Sequence, residues 1–187
     1  TMNAGVFQRL MAAAVTCVIC CAAGAALADQ NDERLNAMFN RLHELDDPRE
    51  AQQIELAIWQ VWSESGSDTA DLLLARGVRA MNGQDFELAM DAFTALIALE
   101  PEFAEGWNKR ATVHYLLGNF EASVHDIQKT LALEPRHFGA LSGMGLIYSA
   151  IGRDEAALKV WEKALSINPQ MPGIKSRVEE LRQKMKG

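Results

Sequence analysis

The feature that most constrains this chain is an internal repeat with a fixed period of 34 residues. Three prolines keep this period: Pro101, Pro135 and Pro169. A position that accepts only small residues keeps it as well: Gly77, Ala111 and Gly145. A repeat of this length predicts a stack of antiparallel helix pairs, because a single pair cannot bury its own apolar faces. We therefore expect an all-α fold, an α-solenoid.

The period divides a repeat region at 70–169 into three units. They span residues 70–103, 104–137 and 138–171. Apolar residues at helical spacing predict three helix pairs, at about 70–81 with 86–99, 104–117 with 120–133, and 138–151 with 154–167. Three glycines mark the turns inside the pairs, where the end of a helix favours a left-handed backbone: Gly83, Gly118 and Gly152.

Two segments flank the repeats. Residues 29–66 predict an N-terminal helical hairpin, whose second helix starts at Pro48 after an Asp cap. This hairpin is either a degenerate repeat or a cap. Residues 172–187 predict an amphipathic closing helix that covers the open end of the array. Its alternative is a basic amphipathic helix lying on anionic lipid.

The segment 1–28 predicts a secretory signal peptide. Arg9 precedes an apolar run that ends in Ala26-Leu27-Ala28, a cleavage pattern of small residues before Asp29. All three cysteines lie in this leader, so the rest of the chain has no disulfide and no thiol nucleophile. We expect cleavage after Ala28 and a periplasmic or secreted protein. The alternative is an uncleaved leader that anchors the chain in a membrane.

Composition and motif content disfavour several classes of function. The net charge of −7, without a basic stripe, disfavours nucleic-acid binding. No metal-ligand spacing is formed by the histidines, which are His43, His114, His125 and His137. The sequence also contains neither a nucleophile elbow nor a phosphate-binding loop. We therefore expect a non-enzyme with no catalytic residues, no metal, no cofactor and no small-molecule substrate.

The third unit carries the pattern W-x2-L-G-x2-Y, A-x3-F, P in its most complete form. The matching residues are Leu141, Met144, Gly145, Tyr148, Ala157, Trp161, Ala164 and Pro169. The first unit matches through Leu73, Gly77, Ala80, Ala89, Phe93, Leu96 and Pro101, and the second through Trp107, Ala111, Ser123, Ile127 and Pro135. The chain thus resembles the tetratricopeptide repeat (TPR) family over the whole repeat region. The resemblance implies a binding protein rather than a catalyst.

Arg76 and Arg110 depart from the family pattern, which usually has leucine at these positions. A charge there must be paired or reach solvent. Asp126 lies on the facing helix, so we predict an Arg110–Asp126 ion pair inside the second unit. It is interpreted as a structural strut; the alternative is a binding-site charge.

The resemblance also implies a concave groove lined by the first helix of each pair. Carried over, its residues are Leu74, Val78, Met81, Asn108, Thr112, Tyr115, Ser142, Leu146 and Ser149. Chaperone-docking relatives clamp a terminal carboxylate with Lys and Asn, and this groove has neutral residues at those positions. The alternative is that these residues face solvent or are covered by the N-terminal hairpin.

Two hypotheses of function follow. In the first, the chain is a scaffold of the bacterial cell envelope that binds a protein or peptide partner in the groove. In the second, it is a structural subunit of a larger envelope assembly, of the secretion or cytochrome-maturation type. That subunit would use its convex face or its terminal helices.

Overall fold

The computed structural model describes residues 32–186, and the predicted signal peptide lies outside this range. Every regular element in the described range is an α-helix. The helices are α1 Glu33–Glu44, α2 Pro48–Trp62, α3 Asp68–Asn82, α4 Phe86–Leu99, α5 Ala104–Leu116, α6 Phe120–Leu133, α7 Phe138–Ala150, α8 Asp154–Ile167 and α9 Pro172–Lys184. The predicted all-α fold is confirmed, and α3 to α8 begin and end close to the positions expected from the sequence.

Polar side chains fix several helix starts. The carboxylate of Asp47 accepts a hydrogen bond from the backbone N–H of Arg49, and Pro48 occupies the first turn of α2. Asp85 caps α4 in the same way through the N–H of Leu88, at 3.1 Å. Such caps satisfy N–H groups that have no partner inside the helix.

The repeats form three antiparallel pairs, α3–α4, α5–α6 and α7–α8, and each pair packs on the next. The helices of a pair approach closely where the repeat has a small residue. At Gly77 the ring of Phe93 occupies the space that a Cβ atom would take, and at Gly145 the indole of Trp161 does so. Both rings are buried. Each large apolar side chain buried in this way contributes about 1.5–3 kcal/mol to stability.

The turn inside the first pair corrects one expectation. Gly118 and Gly152 have φ angles of 75° and 74°, as predicted for left-handed turn residues. In the first pair Gly83 has a φ of −80°, and Gln84 takes the left-handed conformation instead, with a φ of 62°. The expectation for Gly83 was wrong because Gln84, not Gly83, stands one full repeat before Gly118.

The N-terminal hairpin does not extend the stack. Leu35, Phe39, Ile58 and Trp62 of α1 and α2 are buried in one cluster with Phe138, at the start of α7. Ile167 and Met171, from the end of the third unit, pack on the same cluster. No residue of α3 or α4 belongs to it. The hairpin therefore covers the third unit, and the hydrogen bond from Trp62 to Glu134 extends its contacts to the second unit; it does not share a core with the first unit.

Helix α9 covers the free side of the third pair. Its residues Ile174, Val178 and Leu181 pack in one cluster with Ala157 and Trp161 of α8. Its basic side chains bind acidic partners on α8 through Arg182–Glu162 and Lys184–Asp154 salt bridges. No helix in the described range has the length and apolar character needed to cross a bilayer.

Candidate functional site

A cavity of about 390 Å³ lies between α5 and α7. Five of the nine predicted groove residues line it: Asn108, Thr112, Tyr115, Ser142 and Leu146. Trp59 of α2 closes one side, and Ala111, Ile127 and Gly143 contribute apolar surface. The first helices of the second and third units thus place the predicted residues around one space, because side chains three and four positions apart share a helix face.

The other four predicted groove residues do not line this cavity. Leu74 is only 7% exposed and packs with Ala70 and Phe93 in the core of the first unit, so it is not a surface residue. Val78 and Met81 are half-buried against the same cluster. Ser149 is half-buried and does not line the cavity.

The cavity contains one cationic side chain, Lys109, whose charge is already compensated. Its Nζ lies 2.9 Å from Oε1 of Glu105 and 5.3 Å from the centre of the Trp59 ring. The Nδ2 group of Asn108 donates to Oε2 of the same carboxylate at 2.9 Å. These contacts leave the groove without an unpaired charge on the residues that line the cavity.

Glu105 is fully buried and ionised. Burial opposes the charge, but the hydrogen bond from His137 and the attraction of Lys109 outweigh it and hold the pKa of Glu105 below its ordinary value. The Nε2 group of His137 lies 3.1 Å from Glu105 Oε2. The Nδ1 atom of His137 accepts from the backbone N–H of Ala140, which can only donate. His137 is therefore the tautomer protonated at Nε2, with both ring nitrogens bonded.

Trp59 rests directly on the backbone of α7. A Cβ atom on Gly139 would lie 2.5 Å from the Trp59 ring, so only glycine permits this approach. The ring also meets His137 edge-on, with centroids 5.3 Å apart. The absence of a side chain at Gly139 thus creates the seat on which α2 docks.

Helix α2 also binds equivalent positions in consecutive units. The indole N–H of Trp62 donates to Glu134 at 3.4 Å, and Nδ2 of Asn168 donates to Glu55 at 3.2 Å. Glu134 and Asn168 are one full repeat apart, and each directly follows the second helix of its unit. Glu55 and Trp62 are two helix turns apart, about 10.5 Å. Helix α2 therefore runs along the array from the third unit towards the second.

Arg110 and Asp126 form a two-point salt bridge between α5 and α6. Nε donates to Oδ2 at 2.7 Å, and Nη2 donates to Oδ1 at 2.9 Å. The Asp126 side chain is 2% exposed, and His125 Nδ1 lies 3.1 Å from its Oδ1. Both carboxylate oxygens are thus engaged, an arrangement that supports the structural interpretation of the pair.

His114 lies near the same pair, at the edge of a second concavity of about 800 Å³ beside the α5–α6 turn. Its Nε2 is 3.9 Å from Asp126, and its buried Nδ1 has no hydrogen-bond partner. Burial lowers the pKa of His114, and the nearby Asp126 offsets this only in part. Within residues 32–186 no group of three or more His, Cys, Asp or Glu side chains is placed to hold a metal ion.

Comparison with known families concerns mainly the repeat region. A family model described as Tetratricopeptide repeat matches residues 74–126 and 109–172, together more than half of the chain. The chain belongs to the tetratricopeptide repeat family. A TPR repeat-containing protein of Rhizobium etli is 40% identical over 96 residues, which are 51% of this TPR chain and 47% of that protein. The chain thus spans about half the length of this curated relative.

Solved TPR domains share the fold at low sequence identity. The first TPR of Spaghetti (RPAP3), bound to the HSP90 peptide SRMEEVD, has a TM-score of 0.61 at 21% identity and covers 65% of this chain and 96% of its own. The Arabidopsis OM64 TPR domain has a TM-score of 0.60 at 21% identity, with coverages of 63% and 97%. The Yersinia enterocolitica type III secretion chaperone SycD, in complex with a peptide of the translocator YopD, has a TM-score of 0.59 at 15% identity, with coverages of 64% and 94%.

Sequence analysis missed the residues that join the hairpin to this TPR array. Glu105 was not singled out, although it is fully buried, because a glutamate in the first turn of a helix normally faces solvent. Alignment of the units in register offers one signal. Gly139 stands where the preceding units have Glu105 and Asp71, and a glycine inside a helix needs a reason.

Proposed function

We propose that this TPR protein is a non-catalytic scaffold that binds a protein or peptide partner in its concave groove. The observation that supports this most directly is the cavity between α5 and α7, which is lined by five of the predicted groove residues. Apolar walls with a few polar groups suit the side chains and amide groups of a bound polypeptide.

The relatives of similar fold support the same mode of binding. The Spaghetti domain is bound to an HSP90 peptide, and SycD is bound to a peptide of YopD. In this chain Ser142 and Leu146 occupy groove positions where chaperone-docking relatives have charged or amide groups for a terminal carboxylate. We therefore propose an internal segment of a partner as the ligand, rather than a C-terminal carboxylate.

We further propose that the protein works in the bacterial cell envelope. The support is the sequence of the segment 1–28, with Arg9, an apolar run and the Ala26-Leu27-Ala28 cleavage pattern. Cell fractionation followed by N-terminal sequencing tests this. A periplasmic protein that begins at Asp29 is the expected result, and a cytoplasmic protein would contradict it.

A second candidate function is a structural subunit of an envelope assembly. Exposed apolar residues at equivalent turns favour it: Leu117 is 46% exposed, and Ile151, one full repeat further on, is 48% exposed. These two apolar side chains, neither of which lines the cavity, provide surface for a permanent partner.

Affinity capture from the native envelope separates the two candidates. The groove variant Thr112→Arg/Ser142→Arg places two long cations in the cavity while leaving the buried core untouched. The matched control is Gln128→Arg, on an exposed site of α6. A partner bound by the parent and the control but lost by the groove variant supports groove binding. A partner kept by all three at fixed stoichiometry supports the structural subunit and contradicts groove binding.

A further inference from the structure

Gly143 stands without a packing reason in the middle of α7. Glycine in a helix interior is less stable than alanine. Two neighbouring glycines of the same helix each receive an aromatic ring, Trp59 on Gly139 and Trp161 on Gly145. A Cβ atom on Gly143 would meet only Cδ1 of Ile127, at an ordinary contact distance of 3.7 Å. The space over Gly143 belongs to the 390 Å³ cavity.

We call the part of the cavity that lies over the backbone of Gly143 the seat over Gly143. It adjoins the place where Trp59 of α2 packs on Gly139. Gly139 and Gly143 are one helix turn apart and line the same cavity as Trp59. Over Gly139, the bare backbone admits an indole ring closer than any side chain would permit. The next turn offers the same bare backbone, with Thr112 and Tyr115 on the facing helix and Leu146 beside it.

The charges around this seat define what can occupy it. The ammonium group of Lys109 is bound to Glu105 and lies over Trp59, and the amide of Asn108 is bound to the same carboxylate. A carboxylate or a cation entering the cavity would lose its hydration without gaining a free partner of opposite charge. An uncharged aromatic ring loses little hydration and gains contact with the exposed helix backbone.

We propose that the seat over Gly143 binds one aromatic side chain from an uncharged stretch of the partner, next to Trp59. This inference rests on the proposed function and deepens it, since it names the side chain that the groove recognises. It also separates this chain from relatives such as the Spaghetti domain, whose bound peptide SRMEEVD is acidic.

The test uses three capped heptapeptides that differ only in the central residue, which is tryptophan, leucine or glutamate. The other six residues are the same uncharged residues in all three peptides. Each is titrated into the ¹⁵N-labelled protein, and the backbone amide shifts of Thr112, Gly143 and Leu146 are followed. We expect the tryptophan peptide to shift these three amides and to bind at least about fivefold more tightly than the other two. Short peptides bind weakly, and changes in amide chemical shift can detect such weak binding.

The matched variants are Gly143→Ala, which fills the seat with one methyl group, and Gly173→Ala, which adds the same group in open space on α9. Gly143→Ala should unfold at an equal or higher temperature than the parent, because alanine is the better helix former. It should also weaken binding of the tryptophan peptide at least about fivefold, whereas Gly173→Ala should bind as the parent does. Equal affinity for all three peptides, or unchanged affinity in Gly143→Ala, would overturn the proposal.

Failure of this inference is distinguishable from failure of the proposed function. If the glutamate peptide binds best at the same amides, the groove still binds peptides and only the choice of an uncharged aromatic ring is wrong. If no peptide moves these amides, the aromatic seat is wrong. Capture with Thr112→Arg/Ser142→Arg then decides groove binding independently.

Discussion

The indole of Trp62 stacks on the imidazole of His137, with ring centroids 4.2 Å apart and planes inclined by 11°. Both side chains are buried. The imidazole is fixed in turn by Glu105 on one nitrogen and the N–H of Ala140 on the other. This contact joins α2 to the start of α7, and through Glu105 to α5, so three helices meet at one pair of rings.

Replacement of Trp62 should loosen the hairpin. Trp62→Ala removes the stack, the bond to Glu134 and a large buried volume, so we expect a loss of about 3–5 kcal/mol in the free energy of unfolding. Trp62→Phe keeps an aromatic ring and should cost clearly less. Denaturant unfolding measures both. Equal losses for the two variants would show that the ring contact with His137 contributes nothing.

Removal of Arg110 alone should lower the free energy of unfolding more than removal of both Arg110 and Asp126. Arg110→Met leaves the buried carboxylate of Asp126 without its guanidinium, so we expect a loss of about 3–5 kcal/mol. The apolar replacement Arg110→Met/Asp126→Leu should cost less than Arg110→Met alone. Unfolding of the parent, Arg110→Met, Asp126→Leu and the double variant closes a double-mutant cycle. Additive losses would contradict a coupled pair.

Acid should weaken the fold through Glu105. Burial opposes its ionisation, yet His137 and Lys109 lower the pKa of Glu105 below its ordinary value of 4.5, so folding favours the ionised form. That contribution is complete above the unfolded pKa and is lost as the pH falls below about 4.5 through the folded pKa. In Glu105→Gln the free energy of unfolding should fall less over this range. A parent and a variant with parallel pH curves would contradict the assignment.

Protonation of His114 should weaken the fold at a higher pH than protonation of Glu105. Burial lowers the pKa of His114 from 6.5, so the neutral form is favoured by folding, and stability declines as the pH falls from about 6.5 towards the folded pKa. His114→Gln removes this titration and should flatten the curve just below about pH 6.5. The readout is the urea midpoint at each pH. The unchanged Glu105 response below that range serves as the internal control.

The turn at Gln84 offers a stabilising substitution. Its left-handed backbone, with a φ of 62°, is strained for a residue with a side chain, so Gln84→Gly should raise stability by about 0.5–1 kcal/mol. The equivalent substitutions Gly118→Ala and Gly152→Ala should lower stability by a similar amount, because both glycines have a left-handed backbone. No steric clash adds to this loss, because no atom lies near either added Cβ. Thermal unfolding of the three variants checks the sign at each turn.

The repeat units could be predicted from the sequence because their contacts are local and periodic. The pairing of Gly145 with Trp161 follows from a helix pair whose members are adjacent in the chain. The Arg110–Asp126 contact was also accessible, because it lies within one such pair. Residue type predicts the left-handed turn of the first unit at Gly83, whereas the register of the repeat places it at Gln84, where the structure has it.

The docking of the hairpin was not accessible in this way. It depends on Trp59 and Trp62 meeting His137 and Gly139, residues distant in the chain that belong to no periodic pattern with α2. An amphipathic hairpin predicts that one face is buried, but it does not say against what. Leu74 illustrates the same limit, because its burial in the first unit removes it from the groove.

The bonds from Asn168 to Glu55 and from Gln170 to the carbonyl of Leu45 join residues 113 and 125 positions apart. A linear array of repeats has mostly short-range contacts, so its units open one after another from the ends. Here α1 and α2 hold the last repeat, so the third unit cannot separate from the array until these long-range contacts break. We therefore expect the third unit to unfold together with the hairpin, and we expect slower folding than in an open array of equal length, because these long-range contacts raise the contact order.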